Sequence, residues 1–152
     1  MANTSQEAMK LWSGLRVLTA LMNGDLPPPG VAAITQQRLI EVAHGRVIWQ
    51  ASPPDNFINP AGDVHGGWAM TVLDSALGCA VHSALAPGVG YTTMEAKINL
   101  TRAPIVGQTY RVEGVLLSLG RRSATSEAKM YDAAGKLTAF ATTTCMVFQP
   151  DQ

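Results

Sequence analysis

From Gly67 to about Ala84 the chain reads as a helix with almost no polar side. Trp68, Ala69, Met70, Val72, Leu73, Ala76, Leu77, Ala80 and Val81 cover nearly its whole circumference. A helix that is apolar all round has to be buried rather than laid on a surface. The segments that follow read as strands. "TTMEAKINLTR" alternates, with Met94, Ala96, Ile98 and Leu100 on one face. "QTYRVEGVLLSLG" and "RSATSEAKMYD" turn at Gly120-Arg121, and "GKLTAFATTTCMVF" follows the turn "DAAG". One helix followed by consecutive strands is an α+β pattern rather than alternating βαβ units. The arrangement that buries such a helix is an antiparallel sheet wrapped around it.

Upstream, Leu11, Leu15, Leu18 and Met22 recur at helical spacing and predict one amphipathic N-terminal helix. It stops at "NGDLPPPG", where glycine and three prolines prevent its continuation. "TQQRLIEVAHGRVIWQAS" reads as two strands turning at His44-Gly45. The stretch "PPDNFINPAGDVHGG" is a long loop rich in proline and glycine, and loops of that length are often functional. This organisation predicts an N-terminal helix and proline-rich connector over 1–30 and one domain over 31–150.

Charged residues make up only 14% of the 152-residue chain, against 47% apolar, where roughly 25% charged is ordinary. So little charge on a small domain predicts further burial by oligomerisation. The formal net charge is zero, so no global field exists to gather nucleic acid or an anionic membrane. Arg16 interrupts the N-terminal apolar run and no small-residue cleavage site follows, which argues against an export signal. No apolar run reaches the roughly 18 residues that span a bilayer. The expectation is a cytoplasmic protein with no nucleic-acid or membrane partner. Cys79 and Cys145 both lie in apolar segments and read as reduced, buried thiols. No cysteine–histidine cluster has metal-ligand spacing, and His44, His65 and His82 are too scattered to suggest a triad.

Asp74 stands alone in the apolar helix, which places it inside the core or at a subunit seam. Burying its charge costs several kcal/mol unless it is paired. One reading is a structural aspartate bonded to a backbone group or a threonine. The other begins at Gly66-Gly67, whose N–H groups open the helix at its positive end, where an oxyanion is stabilised. Glycine there also lets a substrate approach the backbone closely. Together with a carboxylate on the same helix, this makes a candidate acyl-transfer site. Gly66 and Asp74 are eight residues apart, which is roughly 12 Å along a helix. If both act on one carbonyl, they come from different subunits.

"NPAGDVHGGWAMTVLD" resembles the hotdog-fold acyl-CoA thioesterases of the phenylacetate-degradation (PaaI-like) subfamily, through its Asn59, His65-Gly66-Gly67 and Asp74 spacing. The resemblance continues through "TMEAKINLTRAPIVGQ" and "LGRRS", covering about 55 to 148. It implies a hotdog fold, a curved antiparallel sheet around one long helix, dimerised side by side with two sites at the seam, as a dimer or a tetramer. It further implies an acyl-CoA substrate and no cofactor, coenzyme A being part of the substrate. Carried over, Asp74 is general base or nucleophile, the Gly66 N–H polarises the carbonyl with help from the Asn59 amide, and His65 orients Asn59 or the loop. Thr93 falls at the position supporting the carboxylate, with Thr92 the competing register. Gly120, Arg121, Arg122 and Ser123 form the one basic turn, suited to coenzyme A phosphates; two solvated arginines are the plainer reading. Trp68 reads as core, with an acyl-pocket wall as the alternative.

Two other functions compete. A hotdog dehydratase or hydratase needs a catalytic histidine against an acid on the facing chain, and no such motif surrounds His65. A non-catalytic acyl-CoA-binding module would be expected to lack Asp74.

Overall fold

The computed structural model describes residues 5–150; residues 1–4 of the N-terminal segment, and 151–152, lie outside the described residues. Three helices, α1 (Ser5–Leu11), α2 (Gly14–Asn23) and α3 (Gly30–Thr35), precede the hairpin of β1 (Gln37–Ala43) and β2 (Arg46–Ala51). The long helix α4 (Gly66–His82) follows. After it come β3 (Gly90–Leu100), β4 (Tyr110–Leu119), β5 (Ser123–Tyr131) and β6 (Leu137–Phe148). All six strands form one antiparallel sheet in the order β1-β2-β4-β5-β6-β3. The sheet folds about α4, which touches β2, β3, β4, β5 and β6. This is the α+β wrapping expected from the sequence.

Small residues let the helix sit this deep. A Cβ on Gly114 of β4 would lie 2.2 Å from the carbonyl oxygen of Ala76, so strand and helix backbones are in contact there. Trp68, Val72, Leu73, Ala76, Leu77 and Ala80 are fully buried against the sheet. Trp68 is core and not a pocket wall: its Nε1 donates to the Thr35 carbonyl at 2.9 Å and its ring meets Tyr110 edge-on at 5.7 Å. Ser126, buried beneath α4, is satisfied by donating to the Leu77 carbonyl.

Three sequence expectations change in detail. The helix is not covered all round: Met70 is 44% exposed, Asp74 is exposed, and Gly66 and Gly67 are only half-buried. These positions recur at three to four residues and form one uncovered stripe, so Asp74 is not in the core of the single chain. The N-terminal helix is present but broken at Trp12-Ser13, where Ser13 adopts an extended conformation and caps α2. Gly14 causes the break. Its N–H donates to Leu85, and a Cβ there would overlap the His82 carbonyl at 1.7 Å, so the chain must turn to pass the end of α4. As a result Leu11 is exposed while Val17 and Leu18 are buried. The third change is α3, which the proline run hides. Pro29, with φ −64°, stands at its N-cap, so the last proline starts a helix as well as ending a connector.

Strand β3 is an edge, paired only with β6. Its alternation is interrupted by a bulge at Met94, between Thr93 and Glu95. Beyond the bulge Ala96, Ile98 and Leu100 oppose Thr143, Ala141 and Ala139, the inward residues of β6. Before it the inward position passes to Thr93, opposite buried Cys145.

Candidate active site

The uncovered stripe of α4 begins at a tightly organised loop. Asn59 N–H donates to Asp63 O at 2.8 Å, and Asn59 Oδ1 accepts from Ala61 N–H at 2.9 Å and Asp63 N–H at 3.1 Å. The Asn59 oxygen is therefore occupied by its own turn, leaving its amide N–H groups as what the side chain offers elsewhere. Ile58 bridges to Val64, and His65 N–H donates to Phe57 O at 2.9 Å, closing the loop on itself.

His65 is the N-cap of α4, with its Nδ1 accepting from Gly67 N–H at 2.9 Å. An accepting Nδ1 leaves the ring proton on Nε2. In this chain His65 caps the helix and ties the loop through Phe57, and it makes no hydrogen bond to Asn59. The cap consumes one of the free donors at the positive end of the helix. The Gly66 N–H is donated to no acceptor among the described residues. A Cβ on Gly66 would press on Leu100 Cδ1 at 2.8 Å, and one on Gly67 would strike the capping His65 Nδ1 at 2.8 Å. A side chain at Gly66 would therefore displace the end of Leu100, and one at Gly67 would displace the capping ring.

Two turns along the same stripe, Asp74 accepts a hydrogen bond from Thr93 Oγ1 at 3.1 Å. Asp74 and Thr93 are brought together; Thr92 is paired with Met146 on the other face of β3. Gly66 lies by Leu100, toward the opposite end of that strand, so the two halves of the stripe stay apart within one chain. Neighbouring titratable groups are held in their neutral forms. Burial, then the charge of Asp74, pushes the Cys79 thiol up to about 12, and burial likewise raises Cys145. Both cysteines are free. His82 is held neutral by burial, which lowers it to about 4.

The basic turn lies at the Thr93 end of the sheet. Leu119 pairs with Ala124, Ala124 with Cys145, and Cys145 with Thr93, so the β4–β5 turn begins one residue beyond that row. Ala124 stands two strand spacings from Thr93, about 10 Å. Gly120 N–H donates to Ser123 O, the Arg121 carbonyl accepts from Gln149 Nε2 at 2.9 Å, and the Arg122 carbonyl accepts from Val147 N–H. The turn's backbone is fixed while both arginines are exposed and outside the ion pairs of Arg46, Arg111 and Lys129. Grooves of about 530, 610 and 630 Å³ open elsewhere on the chain, and none is lined by any of these residues.

The family profile of the thioesterase superfamily matches residues 61–139. This chain belongs to the thioesterase superfamily. Its fold is the hotdog fold, shared with the PaaI protein of the Escherichia coli phenylacetic acid degradation operon at a TM-score of 0.78 and 15% identity, over 92% of this chain and 97% of that one. A phenylacetic acid degradation-related protein from Ralstonia eutropha JMP134 is 27% identical, with a TM-score of 0.77 over 85% of this chain and 98% of that one. A hypothetical thioesterase protein from Streptococcus pneumoniae TIGR4, solved with coenzyme A, is 21% identical, with a TM-score of 0.70 over 79% and 92% of the two chains. No curated protein matches the sequence. No helix among the described residues is long and apolar enough to cross a membrane.

Proposed function

We propose that this member of the thioesterase superfamily hydrolyses acyl-CoA thioesters to a free acid and coenzyme A, at sites shared between two copies of the chain. The observation that carries the proposal is the uncovered stripe of α4. An undonated N–H at Gly66 stands at its start, and a carboxylate held by Thr93 stands two turns later. The first polarises a carbonyl and stabilises the oxyanion that forms on attack. The second takes a proton from an attacking water, or attacks the carbonyl itself. In either case the acyl C–S bond breaks, the thiolate of coenzyme A leaves and is protonated, and water supplies the hydroxyl of the acid.

The edge strand supports the shared site. Thr93 with Asp74 lies toward one end of β3, and Leu100 with Gly66 lies at the other. Antiparallel pairing of two β3 edges about a two-fold axis brings the Gly66 end of one chain to the Asp74 end of the next. That pairing also covers Met70, Met94 and Leu100, which are 44%, 59% and 39% exposed in one chain. Asn59 directs its amide donors to the same carbonyl as Gly66. Arg121 and Arg122, with Gly120 and Ser123 shaping their turn, receive the phosphates of coenzyme A, the ligand present in the pneumococcal relative. The thioesterase unit is taken as 31–150, with the N-terminal segment 1–30 joined to its core through Leu18.

The direct experiment is a panel of acyl-CoA esters assayed by thiol release, with Asp74→Asn beside the native protein. Loss of the basic carboxylate is expected to lower kcat by about 10²- to 10⁴-fold at nearly unchanged substrate affinity. Retained turnover in the variant ends the catalytic assignment.

A further inference from the structure

The N-terminal helices and the first hairpin enclose a groove of about 530 Å³, lined by none of the residues assigned above and within the size range of small-molecule sites. Leu21 of α2, Leu26, Ala32 of α3 and Leu39 of β1 give it apolar walls, and Gln37 and Trp49, each 5% exposed, belong to its floor. These two polar residues are incompletely satisfied. Gln37 Nε2 donates to Ser75 Oγ at 3.0 Å, but Gln37 Oε1 accepts from nothing and Trp49 Nε1 donates to nothing, although both atoms are buried. Buried polar groups left unpaired in a native fold call for a partner, and Trp68 shows how a buried indole is normally satisfied here.

The two orphans are complementary, and their residues are neighbours in the sheet. Gln37 opposes Ala51 and Leu39 opposes Trp49 across the hairpin, which makes Gln37 and Trp49 diagonal neighbours on its inner face, with their Cβ atoms about 7 Å apart. One offers an acceptor and the other a donor. A hydroxyl is the one simple group that serves both kinds of atom, accepting from an indole and donating to an amide oxygen. A carboxylate would face the Gln37 oxygen without a proton to give, and an ammonium would leave the indole unpaired. We propose that this groove is a binding site for a small, uncharged, apolar molecule carrying one hydroxyl, of the phenol or alcohol class. Both polar atoms are covered in the unliganded chain, so binding includes rotations of the indole and of the amide that bring their polar edges to the ligand, the amide releasing Ser75 Oγ. The proposal stands independently of the thioesterase reading.

The test uses the full chain with its tryptophan indoles labelled with ¹⁵N, titrated with phenol, toluene and benzoate. Three indole N–H signals are available, from Trp12, Trp49 and Trp68, and Trp→Phe variants assign them. An apolar groove alone prefers toluene, because a methyl group gains more than a hydroxyl on leaving water. The expected result is the reverse. Phenol shifts the Trp49 signal saturably and binds at least about tenfold tighter than toluene, while benzoate does not compete. Trp49→Phe should still bind toluene and lose the preference for phenol, and Gln37→Met should reduce that preference. A Trp49 signal unmoved at phenol saturation, equal affinity for phenol and toluene, or no binding by either overturns the proposal. If Trp49→Phe fails to fold, the phenol-to-toluene ratio and the Trp49 signal of the native protein decide the question by themselves.

Discussion

Thr93 Oγ1 donates to Asp74 Oδ1 at 3.1 Å, and the bulge at Met94 is what allows it. Strict alternation back from Ala96 would have turned Thr92 inward; the extra residue passes that position to Thr93. The hydrogen bond engages one carboxylate oxygen, and in the proposed reaction the other is the one that acts. Thr93→Val is expected to lower kcat about tenfold with little change in KM, Thr93→Ser to restore most of it, and Thr92→Val to change neither. Thiol-release kinetics on the three variants check this. A Thr92 effect as large as that of Thr93 would contradict the arrangement.

A site shared across β3 predicts complementation. Asn59→Asp keeps the oxygen that caps Ala61 and Asp63 while removing the amide donors, and Asp74→Asn removes the carboxylate. Each variant alone should be nearly inactive. Refolded together in equal amounts, half the dimers are mixed and each holds one intact site of two. The mixture should therefore regain about a quarter of native activity. A fully active monomer in analytical ultracentrifugation would refute the shared site.

The sequence made visible whatever is local. The glycines, the capping histidine and Asp74 lie on one helix and its entry, so their spacing in sequence is their arrangement in space. The burial of α4 was legible from its apolar residues, though not the stripe at Met70 and Asp74. Apolar composition does not say which side a sheet leaves open. The Thr93 register could not be read, because a bulge inserts one residue without a distinctive residue type. The break at Gly14 depends on the His82 carbonyl, 68 positions later in the chain. The pairing of Gln37 with Ser75 and the groove beside Trp49 depend in the same way on packing between distant segments.

The fixed turn at Gly120–Ser123 predicts a separation of substrate ends. Changing Arg121 and Arg122 together to Ala should raise KM for acyl-CoA esters and flatten its dependence on salt, because the lost attraction is between exposed charges. An acyl-pantetheine ester, lacking the nucleotide, should be nearly indifferent to the change. Equal damage to both substrates would remove the arginines from phosphate recognition.

His82 predicts the protein's acid limit. The ring is buried at the end of α4, under Gly14 and 5.6 Å from the ring of Tyr91. Burial also holds Tyr91 well above its ordinary value of 10.0, so it carries no charge to offset a protonated ring. Burial lowers His82 from 6.5 to about 4. Between those values the unfolded chain takes up a proton that the folded chain refuses, so folding stability rises with pH across that window. The stabilisation is complete above pH 6.5 and is lost as the pH falls toward 4, by on the order of 3 kcal/mol. Urea unfolding at a series of pH values should show this slope between pH 4 and 6.5. His82→Gln, which cannot titrate, should lose most of it even if its stability at neutral pH is lower. An unchanged slope in the variant would assign the acid sensitivity to other groups.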